Sequence, residues 1–242
     1  MVSINYVIAT WTGPRRRGND AHCKDNVYYL KEHLRILQKF NHNLSQITIV
    51  APNNPAESKE VSCFIEDCEG ELGGVPVVVM RRENRGHSYG SYSFVYSKFR
   101  QAFDYYIFIE DDYVMPLHHF DSKLVNLFEN KKNCGFLCGL VTPFGDEGKP
   151  HAAISNGLSS SEVLEKVFTL KGELPSSNFT TTYHCQSQLQ FSWAFLEAGY
   201  KLHHVIPNYS VVFNDIGKCH TYGTGEPIMI PLQFKSSYKV LS

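Results

Sequence analysis

The sequence predicts an α/β fold: a single domain with a mostly parallel central sheet flanked by helices, and a smaller, loop-rich C-terminal part. Three observations predict it. Short β-prone apolar runs alternate with stretches of helical periodicity through the first 142 residues, the pattern of a sheet built from strand–helix–strand units. The run Tyr105-Tyr106-Ile107-Phe108-Ile109 is apolar or aromatic at every position, as a strand buried on both faces requires. Beyond Thr142 the alternation stops, and glycine, proline and polar residues take over.

The first strand is Ile4 to Thr10, followed by Trp11-Thr12-Gly13-Pro14 and the basic loop Arg15-Arg16-Arg17-Gly18. Val27, Leu30, Leu34, Leu37 and Phe40 recur at helical spacing, which predicts a helix from about Asp25 to Phe40. Gln46 to Ala51 is the second strand, stopped by Pro52-Asn53-Asn54-Pro55. A short helix over Glu57 to Asp67 and a glycine-rich turn over Gly70 to Gly74 lead into a third strand, Val75 to Met80. A helix follows with Tyr92, Val95, Tyr96, Phe99 and Phe103 on one face, so the aromatic run is the fourth strand of the series. Leu117 to Asn130 is a helix with Phe120, Leu124, Leu127 and Phe128 inward, and Cys134 to Val141 is a fifth strand.

In the second half, Thr142 to Leu158 reads as a long loop, Ser161 to Phe168 as a short helix and Lys171 to Thr182 as irregular. A firmer helix runs from about Ser187 to Ala198 and closes at Gly199, where a left-handed cap is favoured. Trp193 sits mid-helix among Leu189, Phe195 and Leu196 and reads first as core packing. Lys201 to Ile206 and Tyr209 to Phe213 are strand-like, and the tail Asp215 to Gly225 is glycine-rich. The expected division is a ligand-binding half, residues 1–142, and a second half, residues 143–242.

With 23 basic and 24 acidic residues the formal net charge is -1, so no surface for nucleic acid is announced. No apolar run reaches the roughly 20 residues that span a bilayer, and the N-terminus lacks the basic and apolar regions of a cleavable signal. The seven cysteines are odd in number and form no CxxC pair, which argues against a disulfide framework and a zinc module. The sequons at Asn43, Asn178 and Asn208 then read as chance matches. A reducing, cytoplasmic setting is expected.

The chemistry gathers at Glu110-Asp111-Asp112, directly after the fourth strand. Adjacent carboxylates repel unless a cation sits among them, and oxygen ligands suit a divalent ion that can neutralise a diphosphate. In an extended segment Glu110 and Asp112 point to one side and Asp111 to the other. Ligands of open parallel sheets bind outside the carboxyl ends of the strands. That edge also receives Trp11 to Gly18, Pro52 to Asn54 and Arg82 to Tyr92. No GxGxxG follows the first strand and GxxxxGK[ST] is absent, which disfavours a dinucleotide enzyme and a nucleotide hydrolase.

Together these features resemble the GT-A glycosyltransferases, which use nucleotide-activated sugars. The resemblance runs in order over residues 4 to 142, with a weaker match near 186 to 220. Glu110-Asp111-Asp112 is similar to the family's DxD-type motif, and Asn84-Arg85-Gly86-His87-Ser88-Tyr89-Gly90 to its Asn-x-Gly loop. The resemblance implies a GT-A-like, Rossmann-like domain that moves a sugar from a nucleotide diphosphate to a hydroxyl on a glycan or glycoconjugate. It implies Mn²⁺ or Mg²⁺ held by Asp112, with Glu110 at the ribose or a metal-bound water and Asp111 beside them. Thr10, Trp11, Thr12, Asn53, Asn84, Gly86 and Ser88 fall at donor-binding positions. His220 is the candidate further metal ligand, with His184, His203 and His204 as rivals, and Arg85 or one of Arg15 to Arg17 would face the diphosphate.

One departure matters. Inverting members carry an acidic pair ahead of a helix ending like Phe195-Leu196-Glu197-Ala198-Gly199-Tyr200, and here the pair falls on Ser187 and Gln188. A base would then come from Asp215, Asp146 or Glu147, and an enzyme that retains configuration would need none. Two alternatives stay open: a sugar-phosphate nucleotidyltransferase, whose GxGxR-type loop Trp11 to Arg16 does not match, and a catalytically inactive carbohydrate-binding module of the same fold.

Overall fold

A computed structural model of the chain describes residues 2–13, 27–139, 141–142, 151–152, 156–178, 186–205 and 230–231. In chain order the elements begin β1 (Ile4–Ala9), α1 (Tyr28–Lys39), β2 (Gln46–Pro52), α2 (Lys59–Asp67), β3 (Gly70–Leu72) and β4 (Val75–Arg82). They continue with α3 (His87–Lys98), β5 (Tyr105–Glu110), β6 (Tyr113–Val114), α4 (Phe120–Glu129), β7 (Cys134–Cys138) and β8 (Val141–Thr142). The rest are β9 (His151–Ala152), β10 (Gly157–Ser160), α5 (Ser161–Lys171), α6 (Gln186–Glu197), β11 (Lys201–His204) and β12 (Ile230–Pro231).

Eight strands form one sheet in the order β11-β7-β10-β5-β1-β2-β4-β3. The pairs β5–β1, β1–β2 and β2–β4 are parallel, as strand–helix alternation predicts. The central strands are apolar on both faces because helices cover both. On one face Tyr6 packs edge-on against His33 of α1 and Phe120 of α4. On the other, Phe108 stacks on Tyr92 of α3, while Tyr106 meets Tyr96 edge-on. This aromatic layer continues through Tyr89 and Phe191 to Phe136 and Phe195, each such pair adding about 0.5–1.5 kcal/mol beyond area burial. Ser58 and Ser160 cap α2 and α5 by accepting from Val61 N and Val163 N. Gly199 takes φ +87 just after α6, as expected of a left-handed cap.

The second half holds a strand that composition hides. Gly157 and Leu158, placed at the end of a loop by the sequence, open β10, which runs antiparallel between β5 and β7. Gly-Leu-Ser-Ser is a poor strand by propensity, but only a small residue fits at its start. A Cβ on Gly157 would lie 2.3 Å from the Leu137 carbonyl oxygen. Ser159 then fastens the strand by donating its hydroxyl to Gly135 O at 2.6 Å.

Other expectations shift locally. The turn expected at Gly70 to Gly74 is the start of a hairpin, with β3 antiparallel to β4. The strand expected over 134–141 ends at Cys138, and β8 pairs separately with β9. Phe99 and Phe103 lie past the end of α3 yet still pack on each other, and Phe103 packs on Tyr106. Tyr209 to Phe213 and the tail lie outside the described residues. Among the described residues, Cys63, Cys68 and Cys134 are free thiols, and no helix is long and apolar enough to cross a membrane.

Candidate functional site at the sheet edge

Strand register brings the predicted loops to one edge. Glu110 lies level with Ala9, Ala9 with Val50, and Val50 with Met80. Strands β5, β1, β2 and β4 therefore end together, and spacings of about 4.8 Å put the acidic turn roughly 14 Å from the exit of β4.

The backbone of the acidic turn is held from several directions. Glu110 N donates to Asn156 Oδ1 at 2.7 Å, and Asp111 N donates to Ala9 O at 3.0 Å. The Asp111 carboxylate, 2% exposed, accepts from the Thr10 hydroxyl at 2.6 Å and from Trp11 N at 3.4 Å. Asp111 O lies 3.2 Å from Nδ1 of the buried His33, whose Nε2 lies 2.9 Å from the Tyr6 hydroxyl. Burial lowers the His33 pKa to about 4, the Asp111 carbonyl and charge opposing it, so the ring is neutral at pH 7. A carbonyl can only accept, so Nδ1 carries the proton and Nε2 accepts from Tyr6. Asp111 thus ties two strand ends together, while Glu110 and Asp112 stay half-buried at the rim. A turn fixed in this way needs little reorganisation to receive a ligand.

The Asn-x-Gly loop is scaffolded by Arg82, which is 7% exposed. Its guanidinium donates to Ser91 Oγ, Glu83 O, Arg85 O and His87 O at 2.5–2.9 Å. Burial lowers its pKa to about 10, so it stays charged at neutral pH. Gly86, at φ +72, precedes α3 and its N–H donates to Asn178 Oδ1 at 2.5 Å. Gly90 must lack a side chain, since a Cβ there would lie 1.9 Å from Arg85 O. Asn84 and Arg85 are exposed at the tip and Ser88 is half-buried behind them. The first turn of α3 holds no acidic residue and no side-chain cap, which leaves its end favourable to negative charge.

Between these loops, Asn53 is exposed and its N–H donates to Arg82 O at 2.7 Å. Thr12 is fully buried. Burial pushes the nearby Glu57 carboxyl up, but hydrogen bonds from Arg81 and then Thr12 outweigh it and hold the pKa below the ordinary value. Ser187 is also buried, exchanging bonds of 2.7 Å with Ser177 and reaching Gly86 O at 3.5 Å. The position that lacks its carboxylate thus abuts the Asn-x-Gly loop.

Thr10, Trp11, Thr12, Asn53, Asn84, Arg85, Gly86, Ser88, Glu110, Asp111 and Asp112 therefore share one edge. His203 and His204 belong to β11, three strand positions from β5. Asp215, His220, Asp146, Glu147, His184 and Arg15 to Arg17 lie outside the described residues. Among the described residues no three His, Cys, Asp or Glu side chains converge as metal ligands. Sequence reasoning missed His33, Arg82 and Asn156. Arg82 alone carried a signal, as the basic residue heading the Asn-x-Gly loop.

No protein-family model matches the sequence, and no curated protein matches it. Among solved structures, the chain is similar to a cytidylyltransferase from Leptospira borgpetersenii at 14% identity and TM-score 0.48, covering 84% of this chain and 76% of that one. It is similar to CMP:2-keto-3-deoxy-manno-octonic acid synthetase complexed with CTP at 12% identity and TM-score 0.48, covering 84% and 88%. It is also similar to the apo-form glycosyltransferase GlyE of Streptococcus pneumoniae at 12% identity and TM-score 0.46, covering 82% of this chain but 44% of that one. The described residues themselves form a mixed α/β domain, an eight-stranded sheet between helices with its loops gathered at one edge.

Proposed function

We propose that this chain is a metal-dependent glycosyltransferase that moves a sugar from a nucleotide diphosphate to an acceptor hydroxyl on a glycan or glycoconjugate. The observation that carries the reading is the acidic turn. One of its three carboxylates is committed to the protein interior, and the other two stand at the rim of a parallel-sheet edge. Two rim carboxylates fit Mn²⁺ or Mg²⁺, which bind through one or two carboxylates together with substrate phosphates. Asp112 would be the principal ligand, with Glu110 beside it and His220 as a further ligand. Such an ion supplies charge to stabilise a leaving diphosphate.

The remaining roles fall to the chain itself. Arg85 is exposed at its loop tip and would hold phosphate charge. Thr10, Trp11, Thr12 and Asn53 would hold the nucleoside, with Asn84, Gly86 and Ser88 on the sugar side. Asp215 would take the acceptor proton in an inverting reaction. Residues 143–242 would hold the acceptor.

A second reading has its own support. Three consecutive arginines, Arg15 to Arg17, follow β1 in the sequence, and a nucleotidyltransferase needs such cations for a nucleoside triphosphate. Turnover assays separate the two. Nucleotide sugars with Mn²⁺ or Mg²⁺ should release nucleoside diphosphate, reduced at least about a hundredfold in Asp112→Asn. Pyrophosphate released from nucleoside triphosphates and sugar phosphates would select the second reading. Neither product from any pair would overturn both.

A further inference from the structure

On the outer face of α6, Gln190, Trp193 and Glu197 fall three and four residues apart and so share one stripe. Residues 172–178 run alongside it, fastened at both ends. Lys171 pairs with Glu197 at one end, and Ser177 N donates to Ser187 Oγ at 2.7 Å at the other. Between strap and helix lies an open groove of about 280 Å³, walled by Glu173, Pro175, Ser176, Gln190 and Trp193 and bounded by the Lys171–Glu197 pair. The sequence placed Trp193 in the core. The structure leaves it half-buried and lining this groove.

We infer that this groove is a binding site for a neutral saccharide ring. A pyranose has apolar C–H faces and a rim of hydroxyls that both donate and accept. The groove pairs an indole and a proline, which suit the faces, with an amide, a hydroxyl, carboxylates and an ammonium, which suit the rim. Charge decides against a nucleotide. Glu197 balances Lys171, and Glu173 leaves the groove net negative, which repels phosphate. The volume, about 280 Å³, falls just below the range of about 300–1,000 Å³ for clefts that take drug-sized ligands, as fits a single ring. The groove is distinct from the acidic turn and meets the Asn-x-Gly loop where Ser176 abuts Gly86: a Cβ on Gly86 would lie 2.6 Å from Ser176 Cβ.

The test uses the full chain labelled with fluorotryptophan. Trp11 and Trp193 are its two tryptophans, so fluorine NMR shows two resonances, and Trp193→Phe assigns them. Maltose, cellobiose, lactose and chitobiose are titrated to tens of millimolar. At least one should shift the Trp193 resonance saturably, with affinity at least about tenfold weaker in the Glu173→Ala/Gln190→Ala variant. The shift should persist in Asp112→Ala, so the groove and the transferase reading fail separately. Inorganic phosphate and an Arg/Lys-rich peptide serve as controls. No saturable shift with any of the four sugars, or one produced by phosphate or the peptide alone, overturns the proposal.

Discussion

The two sides of the sheet are built by different rules. On one side β5, β1, β2 and β4 are all parallel, level at their ends and joined by short-range ties such as Asn53 N to Arg82 O. On the other side β7, β10 and β11 come from distant stretches of chain, and β10 runs against its neighbours. The first arrangement makes one level edge from repeated strand–helix units. The second inserts one antiparallel strand, and Asn156, just before it, reaches Glu110. The acidic turn stands on the seam between them, held by Ala9 and Thr10 from one side and by Asn156 from the other.

If the seam depends on β10, the largest effect comes from blocking its entry. Gly157→Val would drive a side chain into the Leu137 carbonyl and the Phe136 ring. It should cost about 3 kcal/mol or more, read as the shift in urea midpoint. A comparable substitution on an exposed helix face should be near neutral.

The parallel side is broken through His33. The unfolded chain takes up a proton as pH falls through 6.5, but the folded protein takes it up only near pH 4, because burial disfavours the charged ring. Stability should therefore fall as pH drops from about 6.5 to 4, by up to about 3 kcal/mol, with no contribution above that window. Urea unfolding across this range should show that component in the wild type and lose it in His33→Leu. Equal slopes in the two proteins would contradict the buried, neutral ring.

A smaller effect separates neighbouring carboxylates. Asp111→Ala leaves the Thr10 hydroxyl and Trp11 N without their acceptor and should cost about 2 kcal/mol. Asp112→Ala, at the rim, should cost less than about 1 kcal/mol. Equal losses would remove the distinction between an anchoring and a presenting carboxylate.

Legibility in the sequence followed the same division. Apolar runs such as Tyr105 to Ile109 and the helical stripes announced the parallel side, because local periodicity there reports burial on the sheet directly. Alternation placed Asp111 opposite Glu110, and the structure turns Asp111 to Thr10. The ties made by His33 and Asn156 were hidden, since each is a single polar residue whose role depends on contacts remote in sequence, whereas Arg82 showed as the basic residue heading its loop. β10 was hidden for a related reason. Its glycine and serines are chosen by close approach to Leu137 and Gly135, not by strand propensity.

The central claim is that the acidic turn presents Asp112 to a metal-bound nucleotide sugar. Thermal unfolding with a panel of nucleotide sugars, with and without Mn²⁺, on wild type and Asp112→Ala tests it most directly. A ligand at a hundred times its dissociation constant adds about 2.7 kcal/mol to the folded state. The account predicts a metal-dependent rise in Tm with at least one nucleotide sugar, lost in Asp112→Ala. No rise with any of them, or an equal rise in the variant, would contradict it.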